Sequence, residues 1–321
     1  MRHLVRTIGS RLIGLVISLL VASLAIFALL SLLPGDVAQV ILGTNADPAA
    51  ADAVRHQLGL DQPFPVRYGR WLAGLVTGDL GSSVLSGQAI GPQIASRLAV
   101  TGWLVLLSVV LALVLCVPAG VHAAVHRRDA QGFASSALAQ MLMSIPAFLA
   151  GILLIWILAI QLRWLPAGAY VPLTEDPLEW LRHLILPALA LALVQAAVMS
   201  RYVRAAVIDV LADDYLRTAR AAGWPLWGAL RRHGTRNASL SLVTVLALQI
   251  SGMLVGAIVV EEVFVVPGLG SFLLDAVSQR DLPVVADVVM VIVALVLVIS
   301  FLADVLIVAL DPRLRVPGRP S

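Results

Sequence analysis

The sequence predicts an all-α polytopic membrane protein of six transmembrane helices, and three observations carry that reading. Of the 321 residues, 60% are hydrophobic and only 13% are charged, whereas a soluble domain carries about 25% charged residues. Six apolar runs are each long enough to cross a ~30 Å hydrocarbon core, which takes roughly 20 helical residues. Arginine is concentrated in alternate connecting segments, the asymmetry that orients spans.

The first run, 12–33, follows Arg2, Arg6 and Arg11 and so begins like a signal peptide. It is longer than the roughly 7–15 residues of a signal core, and no small-x-small site closes it. It is read as a retained span. Segment 34–97 follows, with helix-like apolar spacing between residues 54 and 60, then Pro63, Pro65 and Gly-rich turns. A folded cap over the outer mouth and a solvated connector both fit this pattern. The next two runs are 98–121 and 133–160, joined by a short basic loop. Pro166, Pro172 and Pro177 limit helix in 161–183 before the fourth run, 184–203. The charged segment 204–239 separates it from the fifth run, 240–260, and the sixth spans 284–310. The expected organisation is a first span plus external cap (1–97), a core of five spans (98–315) and a tail (316–321).

The side holding the N-terminus, loop 122–132, segment 201–239 and the tail carries 15 arginines and five acids; the opposite side carries 7 and thirteen. Both termini are therefore expected in the cytoplasm, the inverted topology being the alternative. The single cysteine, Cys116, excludes an intrachain disulfide. All 22 basic residues other than histidine are arginine. A P-loop needs a lysine to reach the β/γ-phosphates, so this chain cannot carry that nucleotide site, nor form a lysine Schiff base.

Segment 213–239, "DDYLRTARAAGWPLWGALRRHGTRNAS", is the anomaly in so apolar a chain. Asp213 and Asp214 suit the first turn of a short helix, at the positive end of its dipole. Tyr215, Ala219 and Ala222 fall on one face, an aromatic knob beside small residues, while Arg217 and Arg220 share a neighbouring one. Gly223 supplies a helix stop, and Pro225 suits the first turn of a second helix running through Arg232. The product is a helix–Gly–helix elbow. Its small face and forked guanidinium donors suit docking to a soluble protein; its arginines equally suit anionic headgroups. Spacing alone does not choose between them.

The stretch "YLRTARAAG", 215–223, resembles the EAA loop of permease subunits of ATP-binding-cassette importers, and the subtype is similar to the first permease of peptide and nickel uptake systems. The likeness covers nearly the whole chain, with "LPGD" (33–36), "LGLDQP" (58–63), "GDLGSS" (78–83), "RHLILPALALAL" (182–193), "VVEEVFVVPGLG" (259–270), "RDLPVV" (280–285) and "DPRLR" (311–315) in family-like order. The resemblance implies the type I importer permease fold in a bacterial inner membrane, with the elbow between the fourth and fifth spans as the coupling helix. It further implies ATP and Mg²⁺ bound by two partner ATPase subunits or domains, a second permease (a heterodimer), and an extracytoplasmic binding protein that delivers short peptides. Nickel chelates or another small solute are the alternative cargo. Tyr215, Arg217, Thr218, Ala219, Arg220 and Gly223 match the coupling positions. Arg217 stands at the motif's acidic first position, Ala222 where many relatives carry lysine, and Ser239–Leu240–Ser241 in place of Leu-Ile-Pro.

Polar residues inside spans avoid lipid, so Gln140, Gln195, Gln249 and Ser251 are candidate pathway residues, with interhelical hydrogen bonding as the structural alternative. Gly252 and Gly256 beside Gln249 permit a close or open pore wall. Glu261 and Glu262 are candidates for an outer gate or a binding-protein contact, or simply end a span. Asp304, deep in the last run, is read as an ion-pair partner for an arginine of another span, or as a structural cap, before a proton relay. His122 and His126 have a metal-compatible i, i+4 spacing without further ligands. No catalytic, metal, cofactor or nucleic-acid site is expected. A stand-alone carrier would call for intramembrane charges or inverted repeats, and apart from Asp304 the sequence offers neither.

Overall fold

The computed structural model describes residues 2–32, 47–57, 59–230 and 235–310, and these are helical apart from turns and one isolated bridge between Ser82 and Ala89. In chain order the helices are α1 (Arg2–Leu32), α2 (Pro48–Gln57), α3 (Phe64–Thr77), α4 (Ile90–Val125), α5 (Ala130–Met143) and α6 (Ala147–Leu154). A π-helical stretch, Ile155–Gln161, continues α6. Then come α7 (Pro177–Ala212), α8 (Asp214–Ala221), α9 (Leu226–Ala229), α10 (Thr235–Val263), α11 (Leu269–Gln279) and α12 (Leu282–Leu310).

Five of these are long and apolar enough to cross a membrane alone: Ile8–Leu32, Ile90–Val125, Pro177–Ala212, Val245–Val263 and Leu282–Val308. The remaining run, 133–160, is built as two helices, α5 and the α6–π segment, bent by 102°. Its cause is local. Pro146 has no N–H for the ladder and biases Ile145 away from helix, and the chain restarts with Ala150 donating to the Pro146 carbonyl at 3.0 Å. An apolar run of 28 residues conceals this break because hydropathy does not register a proline. Conversely, α4 and α7 overrun their apolar cores. At 36 residues each they extend about 54 Å, since nothing in the flanking sequence stops them.

The chain forms two compact units. One comprises residues 12–101 and 267–298. Its core is Ile90, Ile94, Leu269, Phe272, Ala276, Val284, Val285 and Val288, all buried. Beside Phe27 of α1 lie three aromatic rings of α3: Phe64 at 5.4 Å between centroids, Tyr68 at 5.7 Å and Trp71 at 5.4 Å. The α3 prolines are not turn residues. Pro63 precedes the helix and Pro65 lies in its first turn, where a missing N–H costs nothing. Two buried carboxylates of the C-terminal part hold this region: Asp281 accepts the Ser83 hydroxyl at 2.5 Å, and Asp287 accepts the Trp71 indole N–H at 2.7 Å. Segment 34–97 therefore contains folded structure held by aromatics and buried carboxylates; residues 33–46 and 58 lie outside the described ones.

The other unit comprises residues 1–11, 102–266 and 299–321. Its axis is α7, whose start is firmly specified. Asp176 accepts N–H bonds from Leu178 (2.9 Å) and Glu179 (3.1 Å), and Pro177 occupies the first turn. Against α7 pack α5, α6 and α10. Close approach rests on glycine: a Cβ at Gly120 of α4 would lie 2.5 Å from Val203 Cβ and 2.6 Å from the Ser200 carbonyl oxygen. Arg11 pairs with Asp304 at 2.5 Å, as the sequence reading of Asp304 favoured.

Candidate coupling elbow and pathway residues

The elbow grows out of the long helix α7. After Ala212 the chain turns extended at Asp213, whose carbonyl accepts from Leu216 N–H at 3.2 Å. Helix α8 then runs Asp214–Ala221. Its anchor is Leu216, only 1% exposed. The sequence reading passed over Leu216, although it is the one large aliphatic side chain in "DYLRTARA". Burying a leucine contributes about 1.5–3 kcal/mol, enough to seat an eight-residue helix that would be marginal alone.

Gly223, with φ +89°, ends α8. The Trp224 N–H bonds the Ala219 carbonyl at 3.2 Å and the Ala222 N–H bonds that of Thr218 at 3.0 Å. That six-to-one closure around a left-handed residue is the Schellman stop. Pro225 then starts α9, where Ala229 donates to the Pro225 carbonyl at 3.0 Å and Ala229 and Leu230 are buried. The second helix, read through Arg232, is described only as Leu226–Ala229, because residues 231–234 lie outside the described ones.

The outward surface of the elbow is what a docking partner would meet. Thr218, Ala222 and Gly223 are exposed, Ala219 is half-buried, and Tyr215 and Trp224 are exposed at 37% and 42%. Thr218 spends its hydroxyl proton within α8, on the Asp214 carbonyl at 3.0 Å. Arg217 and Arg220 have helical backbone, but their side chains lie outside the described ones. The candidate coupling positions thus lie on one short helix, from Tyr215 to Arg220, and on the glycine that ends it, with Leu216 buried and Tyr215, Thr218 and Gly223 exposed.

The span-borne candidates do not converge on one point. Gln195 of α7 faces α10: a Cβ at Gly252 would lie 3.5 Å from its Nε2. Gln249 is one turn from Gly252, and Ser251, half-buried, donates weakly to Ala247 of its own helix at 3.3 Å. Gln249 and Ser251, two residues apart, lie on different sides of α10. Gln140 lies elsewhere, lining a cavity of about 750 Å³ whose walls come from α4, α5 and α7; Gln195 does not reach that cavity. Glu261 and Glu262 diverge, the first fully buried and the second exposed, so only Glu262 offers a carboxylate at the surface. The His122 and His126 rings lie 4.3 Å apart and tilted by 35°, and among the described residues no cluster of three metal-ligating side chains joins them.

Comparison with known proteins agrees with this architecture. Residues 116–316 match the family model of the binding-protein-dependent transport system inner membrane component, and residues 1–116 match its N-terminal companion. The chain is 40% identical over 305 residues to the glutathione transport system permease protein GsiC of Escherichia coli strain K12, covering 95% of this chain and 97% of that one. The GsiC of Salmonella paratyphi A matches at the same identity and coverage. Among solved structures, an inward-facing MetNI methionine ABC transporter superposes with a TM-score of 0.55 over 68% of this chain and 96% of that chain, at 18% identity.

Proposed function

The chain belongs to the binding-protein-dependent transport system inner membrane component family, and from that premise we propose that it forms one half of a translocation pathway for short, glutathione-like peptides. It is a permease subunit and not an enzyme. The observation that carries the cargo is the identity with glutathione permeases along 95% of the chain. A likeness confined to the elbow would have indicated only the class of machine.

The elbow is the lever in this reading. A partner ATPase binds ATP and Mg²⁺ and receives α8 in a cleft, with Tyr215 and Trp224 as aromatic contacts and Ala219, Ala222 and Gly223 allowing close backbone approach. Closure of two ATPase subunits would push α8, and the push would pass into α7 through the seat of Leu216. Because α7 is one uninterrupted helix from Pro177 to Ala212, displacement at the elbow would reach the α7–α10 contact at Gln195 and Gly252. A second permease completes the pathway, and a binding protein delivers cargo from the arginine-poor side.

The test is uptake by the reconstituted complex. The chain is purified with its co-expressed partners, placed in liposomes, and given binding protein, ATP and labelled glutathione or a dipeptide. ATP-dependent accumulation is the expected result. Accumulation of a nickel chelate and no peptide would overturn the cargo and leave the permease role intact. Recovery of the chain with no P-loop ATPase would overturn the coupling assignment.

A further inference from the structure

The 750 Å³ cavity between α4, α5 and α7 has a polar end and an apolar end. At the polar end stand Arg201 and Arg204, three residues apart and so neighbours on one side of α7. Arg204 Nε donates to the Ala123 carbonyl at 3.4 Å, satisfying one of the orphan carbonyls near the end of α4. That leaves the Nη groups of Arg204. Arg201 Nη1 meets only the Met143 sulfur at 3.8 Å, a weak acceptor. No acid lines the cavity, and among the described residues neither guanidinium pairs with a carboxylate. Among the described residues, two cations thus stand without a carboxylate partner at the edge of an apolar span.

Most of the remaining wall is aliphatic, led by Leu115, Leu138, Leu142 and Leu193, with Gln140 and a few hydroxyl groups set among it. From Leu193 to Arg204 the wall follows α7 for about 16 Å. A peptide in its usual ionic form brings an ammonium group as well as carboxylates, and this lining has no carboxylate to pair with it. A ligand with a phosphate at one end and hydrocarbon at the other satisfies both ends of the cavity. We propose that this cavity holds the headgroup and upper acyl chain of an anionic phospholipid, its phosphate received by Arg201 and Arg204 and its chain by the leucine wall. Basic pockets between membrane helices bind anionic headgroups for this reason. The site is independent of which solute the permease carries.

The probe is phosphatidylglycerol against phosphatidylcholine, read by native mass spectrometry of the purified complex equilibrated with mixed micelles of the two. Phosphatidylglycerol retained in preference to phosphatidylcholine is the expected result. R201Q/R204Q should weaken that retention roughly ten- to thirtyfold, about one kcal/mol for each charge removed near the surface. R201K/R204K should keep most of it, and R127Q/R128Q, which removes two arginines outside the cavity, should keep all of it. Ala139→Trp, which fills the cavity without altering charge, should abolish it and serves if the double glutamine variant fails to assemble. Unchanged retention by R201Q/R204Q or by Ala139→Trp overturns the proposal. So does an assembled complex that retains no phosphatidylglycerol, its cavity then being filled by the partner permease. Displacement by millimolar glycerol phosphate would overturn it in favour of a soluble phosphate site, and displacement by glutathione in favour of a cargo site.

Discussion

Single glycines set the tightest tolerances in this chain, for two different reasons. At Gly120 the constraint is space. A methyl group there would meet Val203 Cβ at 2.5 Å and backbone oxygen of Ser200 at 2.6 Å, and backbone cannot rotate away as a side-chain tip can. Gly120→Ala must therefore part α4 from α7, and overpacking of this kind costs about 1–3 kcal/mol. A lower melting temperature of the detergent-solubilised protein is the expected outcome, by several degrees. At Gly223 the constraint is conformational. Nothing lies within 4 Å of an added Cβ, yet φ is +89°. Gly223→Ala carries only the left-handed strain of about 1–2 kcal/mol, whereas Gly223→Pro cannot adopt the angle at all. The proline variant should insert and fold in its spans but lose ATP-driven uptake, with alanine intermediate. Uptake equal to wild type in the proline variant would contradict a coupling role.

At the scale of elements, the sequence was most legible where one signal dominates. Runs of twenty apolar residues read directly as spans, and Gly223 followed by Pro225 marked the elbow. The break in 133–160 was less visible, since Pro146 is a single residue in an otherwise apolar run. Leu216 is hard to read because a single aliphatic side chain among charged and aromatic residues sets up no periodic pattern. Asp287 was absorbed into the edge of the last span, and its partner Trp71 is 216 positions away, a pairing no local pattern announces. The glutamines failed to converge for the same reason: polarity within a span says that a residue avoids lipid, not which neighbour it faces. Where a cap is legible its effect can be bounded. Asp176 satisfies two N–H groups at the start of α7, so Asp176→Ala should cost about 1 kcal/mol and Asp176→Asn little. Thermal unfolding followed by circular dichroism separates the two variants. For the elbow, Leu216→Ala should unseat α8, lowering uptake while the amount of chain in the membrane is unchanged.

Over the whole molecule, the elbow can serve as a lever only if it projects to the side where ATP is available, and the charge distribution bears on that question. In the expected topology fifteen arginines lie on the side of the elbow and both termini against seven on the other, with acids distributed the opposite way. Each arginine in a short loop biases that loop to remain in the cytoplasm, and here the bias is repeated in every loop on that side. An odd number of crossings between the elbow and the external segment is also required, so the bent pair α5 and α6 must cross once together. If the two helices formed a re-entrant loop instead, the N-terminus and the elbow would lie on opposite sides. Reporter fusions decide between these arrangements. Green fluorescent protein fused after residue 321 and inserted in loop 122–132 should fluoresce, and alkaline phosphatase inserted near Pro172 should be active. Phosphatase activity in loop 122–132 together with fluorescence near Pro172 would invert the chain and remove the elbow from any ATPase. Fluorescence at both loop sites would instead make the pair re-entrant and break the link between charge asymmetry and coupling.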